Sequence, residues 1–165
     1  MRTLKRRLGR ERRINRLNVM GRPWFLAVVA ALLASANAPA QEFRSVAEPA
    51  AILYDAPSTK AQKIFVLSHG YPVEVVIKLD AWIKVRDDIG EFAWIEKSHL
   101  SERRTVMVKV ASAEARQAAN ENSTVVFTAE KNVLLELVET AGGWAKVRHN
   151  DGATGFVKVS QLWGV

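Results

Sequence analysis

From residue 43 onward the apolar positions come in short runs that alternate with polar residues, a period-two pattern that predicts strands. Val73-Glu74-Val75-Val76-Ile77 and Leu135-Glu136-Leu137-Val138-Glu139 place apolar side chains on one face and Glu74 or Glu136 on the other. Ile64-Phe65-Val66-Leu67 and Val125-Val126-Phe127 predict the strands before them. Phe43–Val46 and residues 105–110 predict opening strands, and the polar, Ala-rich stretches 56–62 and 118–124 read as loops.

These elements occur in pairs because the chain repeats itself. Trp82-Ile83-Lys84-Val85-Arg86 returns 62 residues later as Trp144-Ala145-Lys146-Val147-Arg148, and Leu100 returns at the same offset as Leu162. A fixed period marks two copies of one structural unit. The division is residues 1–40, then copy one over 41–102 and copy two over 103–165. Propensity alone would allow a helix over 111–119, but the equivalent stretch 48–57 carries two prolines, which argues against one. A unit of about 60 residues is marginal alone. The chain has no cysteine, so no disulfide supports it. The joint Ser101-Glu102-Arg103-Arg104 is short, and two closely coupled copies that stabilise each other are expected.

The hairpin after each repeated Trp can be set in register from its turn residues, Asp87-Asp88-Ile89-Gly90 and His149-Asn150-Asp151-Gly152. Val85 then faces Ala93 and Ile83 faces Ile95 inward, with Lys84 opposite Trp94 and Trp82 opposite Glu96 outward. Copy two repeats the layout. Val147 faces Gly155 and Ala145 faces Val157 inward, with Lys146 opposite Phe156 and Trp144 opposite Lys158 outward.

Charge changes the picture only at the N-terminus. Nine of the 24 basic residues and one of the 17 acids lie in residues 1–40, so the remainder is nearly neutral. That balance gives no electrostatic footprint for nucleic acid. Basic residues lead into the apolar run Trp24 to Leu33 and then into small residues, the order of an export signal, with cleavage expected between Ala40 and Gln41. The apolar run is too short to span a bilayer, so no stable membrane span is expected after cleavage, and the destination is periplasmic or secreted. Met20 would itself open a signal of ordinary length. The pairs Arg6-Arg7 and Arg12-Arg13 lack the residues that complete a twin-arginine motif, so that route has weak support.

The segment Gly142-Gly143-Trp144-Ala145-Lys146-Val147-Arg148, then Asp151-Gly152-Ala153-Thr154-Gly155-Phe156-Val157, then Ser160-Gln161-Leu162 resembles the bacterial SH3-like (SH3b) domain family. Copy one departs from it, with Asp80-Ala81 for the Gly pair, Ile89-Gly90 for Asp-Gly and Ala93-Trp94 for Gly-aromatic. The resemblance implies an all-β chain of two tandem small SH3-like β-barrels after an N-terminal signal peptide. Each barrel would have five strands, a long loop after the first strand and a one-turn 3₁₀ helix at Ser98-His99-Leu100 or Ser160-Gln161-Leu162. It also implies a place in the bacterial envelope and, for some relatives, binding of cell-wall peptide or glycan.

Strand parity puts Trp82, Trp94, Trp144 and Phe156 outside the core, where aromatic rings beside lysines can stack on a peptide or sugar or can pack against neighbouring protein. Tyr54, with Asp55, falls in the long loop that the resemblance connects with ligand recognition; its counterpart Arg116 would confine such a site to copy one. Catalysis has little support. His69, His99 and His149 correspond to Lys131, Gln161 and Asp87, no metal-ligand spacing is present, and no cofactor motif is found. The expectation is an exported, non-catalytic binding protein whose partner is cell-wall peptide or glycan or an envelope protein. The alternative is a scaffold or accessory module that presents sheet edges to another protein and takes no small ligand.

Overall fold

The computed structural model describes residues 41–165; the export signal expected over 1–40 lies outside the described residues. Copy one runs β1 (Phe43–Val46), β2 (Ala50–Tyr54), β3 (Lys63–Ser68), β4 (Pro72–Lys78), β5 (Trp82–Arg86), β6 (Phe92–Glu96), a 3₁₀ turn (Lys97–His99) and β7 (Leu100–Ser101). Copy two repeats this order 62 residues on: β8 (Thr105–Val108), β9 (Ser112–Arg116), β10 (Val125–Glu130), β11 (Leu134–Ala141), β12 (Trp144–Arg148), β13 (Thr154–Lys158), a 3₁₀ turn (Val159–Gln161) and β14 (Leu162–Trp163). Each copy is one antiparallel sheet, ordered β3-β2-β6-β5-β4-β1-β7 and β10-β9-β13-β12-β11-β8-β14.

The central hairpins have the expected register. Ile83 pairs with Ile95, Lys84 with Trp94, Val85 with Ala93 and Trp82 with Glu96; Ala145 pairs with Val157, Lys146 with Phe156, Val147 with Gly155 and Trp144 with Lys158. The inward members of these pairs are buried, as alternation requires. The Asp87 carboxylate closes the first turn by accepting from the backbone N–H groups of Ile89 and Glu91, at 3.1 and 2.8 Å, with Gly90 at φ 95°. In the second turn Asp151 accepts from Ala153 N–H at 2.8 Å and Gly152 takes φ 92°.

Several sequence expectations need correction. Each copy has seven strands rather than five, because the first half of the long loop is a paired strand and because β7 and β14 add two residues each. Residues 112–116, ambiguous on propensity, form β9, and its equivalent 50–54 forms β2. Stretches 56–62 and 118–124 are the tips of the resulting hairpins; Asp55 and Gln62 close the first one, backbone to backbone at 3.1 Å and side chain to backbone at 3.0 Å. The opening strand of copy two ends at Val108 rather than 110, and each 3₁₀ turn begins one residue earlier than expected. Alternation in β4 and β11 breaks at register shifts between Val75 and Ile77 and between Leu137 and Glu139. Each is a bulge that turns Val76 or Val138 outward, although both belong to apolar runs.

The two cores are separate. One is built on Val46, Leu53, Val73, Ile83, Val85 and Ile95, the other on Val106, Val108, Leu135, Val147, Val157 and Leu162. Phe43 and Met107 are buried outside both, where the copies meet. There Phe43 packs edge-on against Trp163, ring centres 5.1 Å apart, and the Ser45 and Thr105 hydroxyls lie 2.7 Å from each other.

Candidate functional site

The outer faces of the two sheets can be compared row by row, because the copies share one register. In copy one a cross-strand row runs Ile77, Lys84, Trp94, Tyr54. The equivalent row in copy two runs Glu139, Lys146, Phe156, Arg116. Directly opposite residues on paired strands are neighbours, so each row groups side chains of adjacent strands. The first is apolar and aromatic with one cation in it. The second is charged at both ends.

The electrostatics differ accordingly. Lys146 lies 3.6 Å from Glu139 and 6.0 Å from the centre of the Phe156 ring. Lys84 has Ile77 where Lys146 has Glu139, and it forms no ion pair among the described residues. Its ammonium sits 5.5 Å over the ring of Phe92, a residue that is 50% exposed. A cation held by a ring keeps capacity for an anionic partner, since cation–π attraction is modest at an exposed site.

The five residues singled out from sequence fall into two groups. Tyr54, Trp82 and Trp94 come together in copy one; Trp144 and Phe156 lie on the matching strands of copy two. The four outward aromatics are half-buried. Tyr54 is not in the loop as expected. It ends β2, is 6% exposed, and meets Trp82 edge-to-face at 5.4 Å. It therefore supports Trp82 from beneath rather than offering its own ring. Its burial follows from β2 being a strand, which the loop reading missed.

Arg116 replaces Tyr54 in copy two, and among the described residues Trp144 has no aromatic ring packed against it as Trp82 has. The guanidinium instead donates to Ser123 O at 2.7 Å and pairs with Glu114. Trp144 lies in a cleft of about 340 Å³ with Arg116, Glu121 and Lys158. Lys158 sits 6.0 Å from its ring centre and 2.7 Å from Glu121. That ion pair holds the Glu121 carboxyl below its ordinary range. Sequence reasoning missed Phe92, which alternation alone marks as outward, and Glu121 and Lys158, which only the fold brings to Trp144.

The histidines do not form a reactive cluster. His69 Nδ1 is 2.8 Å from Ala47 O, His149 Nδ1 is 3.1 Å from Asp151, and His99 lies in the first 3₁₀ turn. Among the described residues no group of three or more His, Asp or Glu converges as metal ligands.

With this geometry in place, comparison with known families decides the relationship. The family described as bacterial SH3 domain matches residues 47–102 and again 109–164. The chain belongs to the bacterial SH3 domain family. Each match covers one of the two sheets described above except its first strand, β1 or β8. A search of curated proteins gives no match. Among solved structures, NlpC2 from Trichomonas vaginalis is 18% identical with TM-score 0.35, over 74% of this chain and 48% of that one. NlpC1 from the same organism is 19% identical with TM-score 0.36, over 78% and 48%. An NlpC/P60 family protein from Bacillus cereus ATCC 10987 is 15% identical with TM-score 0.35, over 74% and 56%. The bacterial SH3 pair thus spans about half the length of each of these proteins.

Proposed function

We propose that this tandem bacterial SH3 protein is an exported, non-catalytic binding protein of the cell envelope, and that it recognises cell-wall peptide or glycan through the aromatic face of copy one. The observation that supports this reading is the row Ile77–Lys84–Trp94, flanked by Phe92 and by Trp82 on its Tyr54 support. Flat apolar rings beside an unneutralised ammonium match a ligand with sugar or peptide planes and a carboxylate. The family supports a wall-associated binding role at the coarse level.

An NMR titration with purified cell-wall fragments tests it. The indole N–H signals of Trp82 and Trp94 should shift. Trp163 should not, because its indole is held by a hydrogen bond between the copies. Absence of shifts at millimolar fragment would remove this ligand class.

One observation favours the second reading, a protein-interaction module. Strand β3 is an outer strand of its sheet and carries Ile64 and Val66 at 45% and 59% exposure. An open strand edge with outward apolar side chains can accept a partner strand. Loss of a co-purifying envelope protein on Val66→Lys, with fragment binding unchanged, would select this reading.

A further inference from the structure

A cleft of about 380 Å³ lies between the two copies, away from the aromatic faces. Copy one contributes His69 and Gly70 to its lining, the joint contributes Arg103, and copy two contributes Glu136, Arg148 and His149. Among the described residues Glu136 is the one carboxylate in that lining. Arg103 Nη2 and Arg148 Nη1 both converge on its Oε2, at 3.0 and 3.3 Å. These two guanidinium groups, Arg103 first, hold its carboxyl below the ordinary range.

Copy one shows what is specific to this place. There Glu74 takes the role of Glu136 and accepts from Arg86 Nε at 2.6 Å, as Glu136 does from Arg148. Its second partner is a neutral amide, Gln41 Nε2, at 3.2 Å. Gln41 and Arg103 are equivalent positions, 62 residues apart. The first arrangement is charge-balanced; the second carries one cation more than it needs. The neighbouring turn changes in the same direction. Asp87 and Asp88 of copy one become His149 and Asn150, which line the cleft; Asp151, at the position of Ile89, lies outside the lining, 3.1 Å from His149 Nδ1 and accepting from Ala153 N–H. The joint and the copy-two turn thus bring more positive charge to the cleft than the equivalent residues carry in copy one.

We propose that this cleft is a binding site for a carboxylate group, with Arg103 and Arg148 as the donors. Each guanidinium carries five N–H groups and uses one on Glu136, so a planar anion finds donors in fork geometry. The surplus is a single charge, which suits a monoanionic carboxylate better than a dianionic phosphate. The site needs both copies, and it stands independently of the aromatic face.

The test uses N-acetyl-alanyl-alanine, its C-terminal amide and inorganic phosphate, each titrated into ¹⁵N-labelled protein. The acid should shift the amides of Gly70, Thr105 and Asn150 and the Nε–H signals of both arginines, and the amide analogue should not. Arg103→Gln installs the residue that copy one already carries and should weaken binding about tenfold or more, with the tryptophan signals unmoved. His149→Asp restores the acid of copy one beside the cleft and should weaken it as well. Equal binding of acid and amide, unchanged affinity in Arg103→Gln, or tighter binding of phosphate than of the acid would overturn the assignment, as would shifts confined to Trp82 and Trp94.

Discussion

The indole N–H of Trp163 donates to the backbone carbonyl of Pro72 at 3.1 Å, joining the last strand of copy two to β4 of copy one. The same ring meets Phe43 at 5.1 Å, and Arg104 lies 5.7 Å over the Phe43 ring while donating to Gly164 O at 2.8 Å. Copy one has Ser101 at the position of Trp163, so this contact cannot be a property of the unit itself; it belongs to the pair. Trp163→Ala should destabilise the protein by about 2–4 kcal/mol, and Trp163→Phe, which keeps most of the packing, by about 1 kcal/mol. Chemical denaturation followed by circular dichroism measures both. A loss under about 0.5 kcal/mol for the alanine variant would mean that the copies do not depend on this contact.

Gly164 closes the same seam. A Cβ there would lie 2.8 Å from Pro72 Cβ and 2.9 Å from Thr105 O, and the residue holds φ at 97°, which side chains rarely adopt. Gly164→Ala combines backbone strain with a clash across the joint and should cost about 2–4 kcal/mol. Gly152, at φ 92° with open space around it, provides the comparison. Gly152→Ala carries the strain without the clash and should cost about 1 kcal/mol less. Equal melting temperatures for the two variants would place the copies farther apart than they are here.

Much of this fold was legible because of the repeat. Trp82 and Trp144 fixed the period, and the turns after Arg86 and Arg148 fixed the register of both central hairpins to the residue. Strands β2 and β9 were not legible as strands. Ala-Ala-Ile-Leu-Tyr and Ser-Ala-Glu-Ala-Arg have little in common as patterns, and alanine-rich segments favour helix on propensity, so tertiary pairing with β3 and β10 decides them. The bulges at Val76 and Val138 left no mark, since an inserted residue looks like continued apolar sequence. Four of the five candidate aromatics could be assigned outward by parity. The burial of Tyr54 could not, because its face is set by which strand β2 joins. The Arg103–Glu136–Arg148 arrangement was visible only as scattered charges until β11, β12 and the joint came together.

Gly155 offers a test internal to the repeat. A Cβ at this position would sit 2.9 Å from Ala115 Cβ and 3.1 Å from the Ala115 backbone carbon. Copy one has Ala93 at the equivalent place, buried and opposite Val85 as Gly155 is opposite Val147. Strand β9 therefore approaches β13 more closely than β2 approaches β6. Gly155→Ala should cost about 1–3 kcal/mol by overpacking, and Ala93→Gly about 1 kcal/mol through lost packing and added chain entropy. Thermal unfolding of both variants checks this. A stabilised Gly155→Ala protein would show that the close approach relaxes freely.

Acid sensitivity follows from carboxylates whose partners are cations at the surface. Glu42 is held below the ordinary glutamate value of 4.5, first by its hydrogen bond to Lys78 at 2.5 Å and then by Arg44. Glu136 is held below the same value by Arg103 and Arg148, and Glu121 by Lys158. A carboxyl whose folded pKa lies below its unfolded one contributes stability that is present above the unfolded value and is lost as pH falls through the folded one. The melting temperature should therefore be flat from neutral pH to about 5 and should fall below about 4.5. The exposure of these groups makes each effect small and sensitive to salt, because screening acts within about 8 Å at physiological ionic strength. Raising salt should flatten the acid limb, and Arg103→Gln should flatten it further by removing the first partner of Glu136. A melting temperature that stays constant to pH 3 at low salt would show that these pairs contribute nothing to folding.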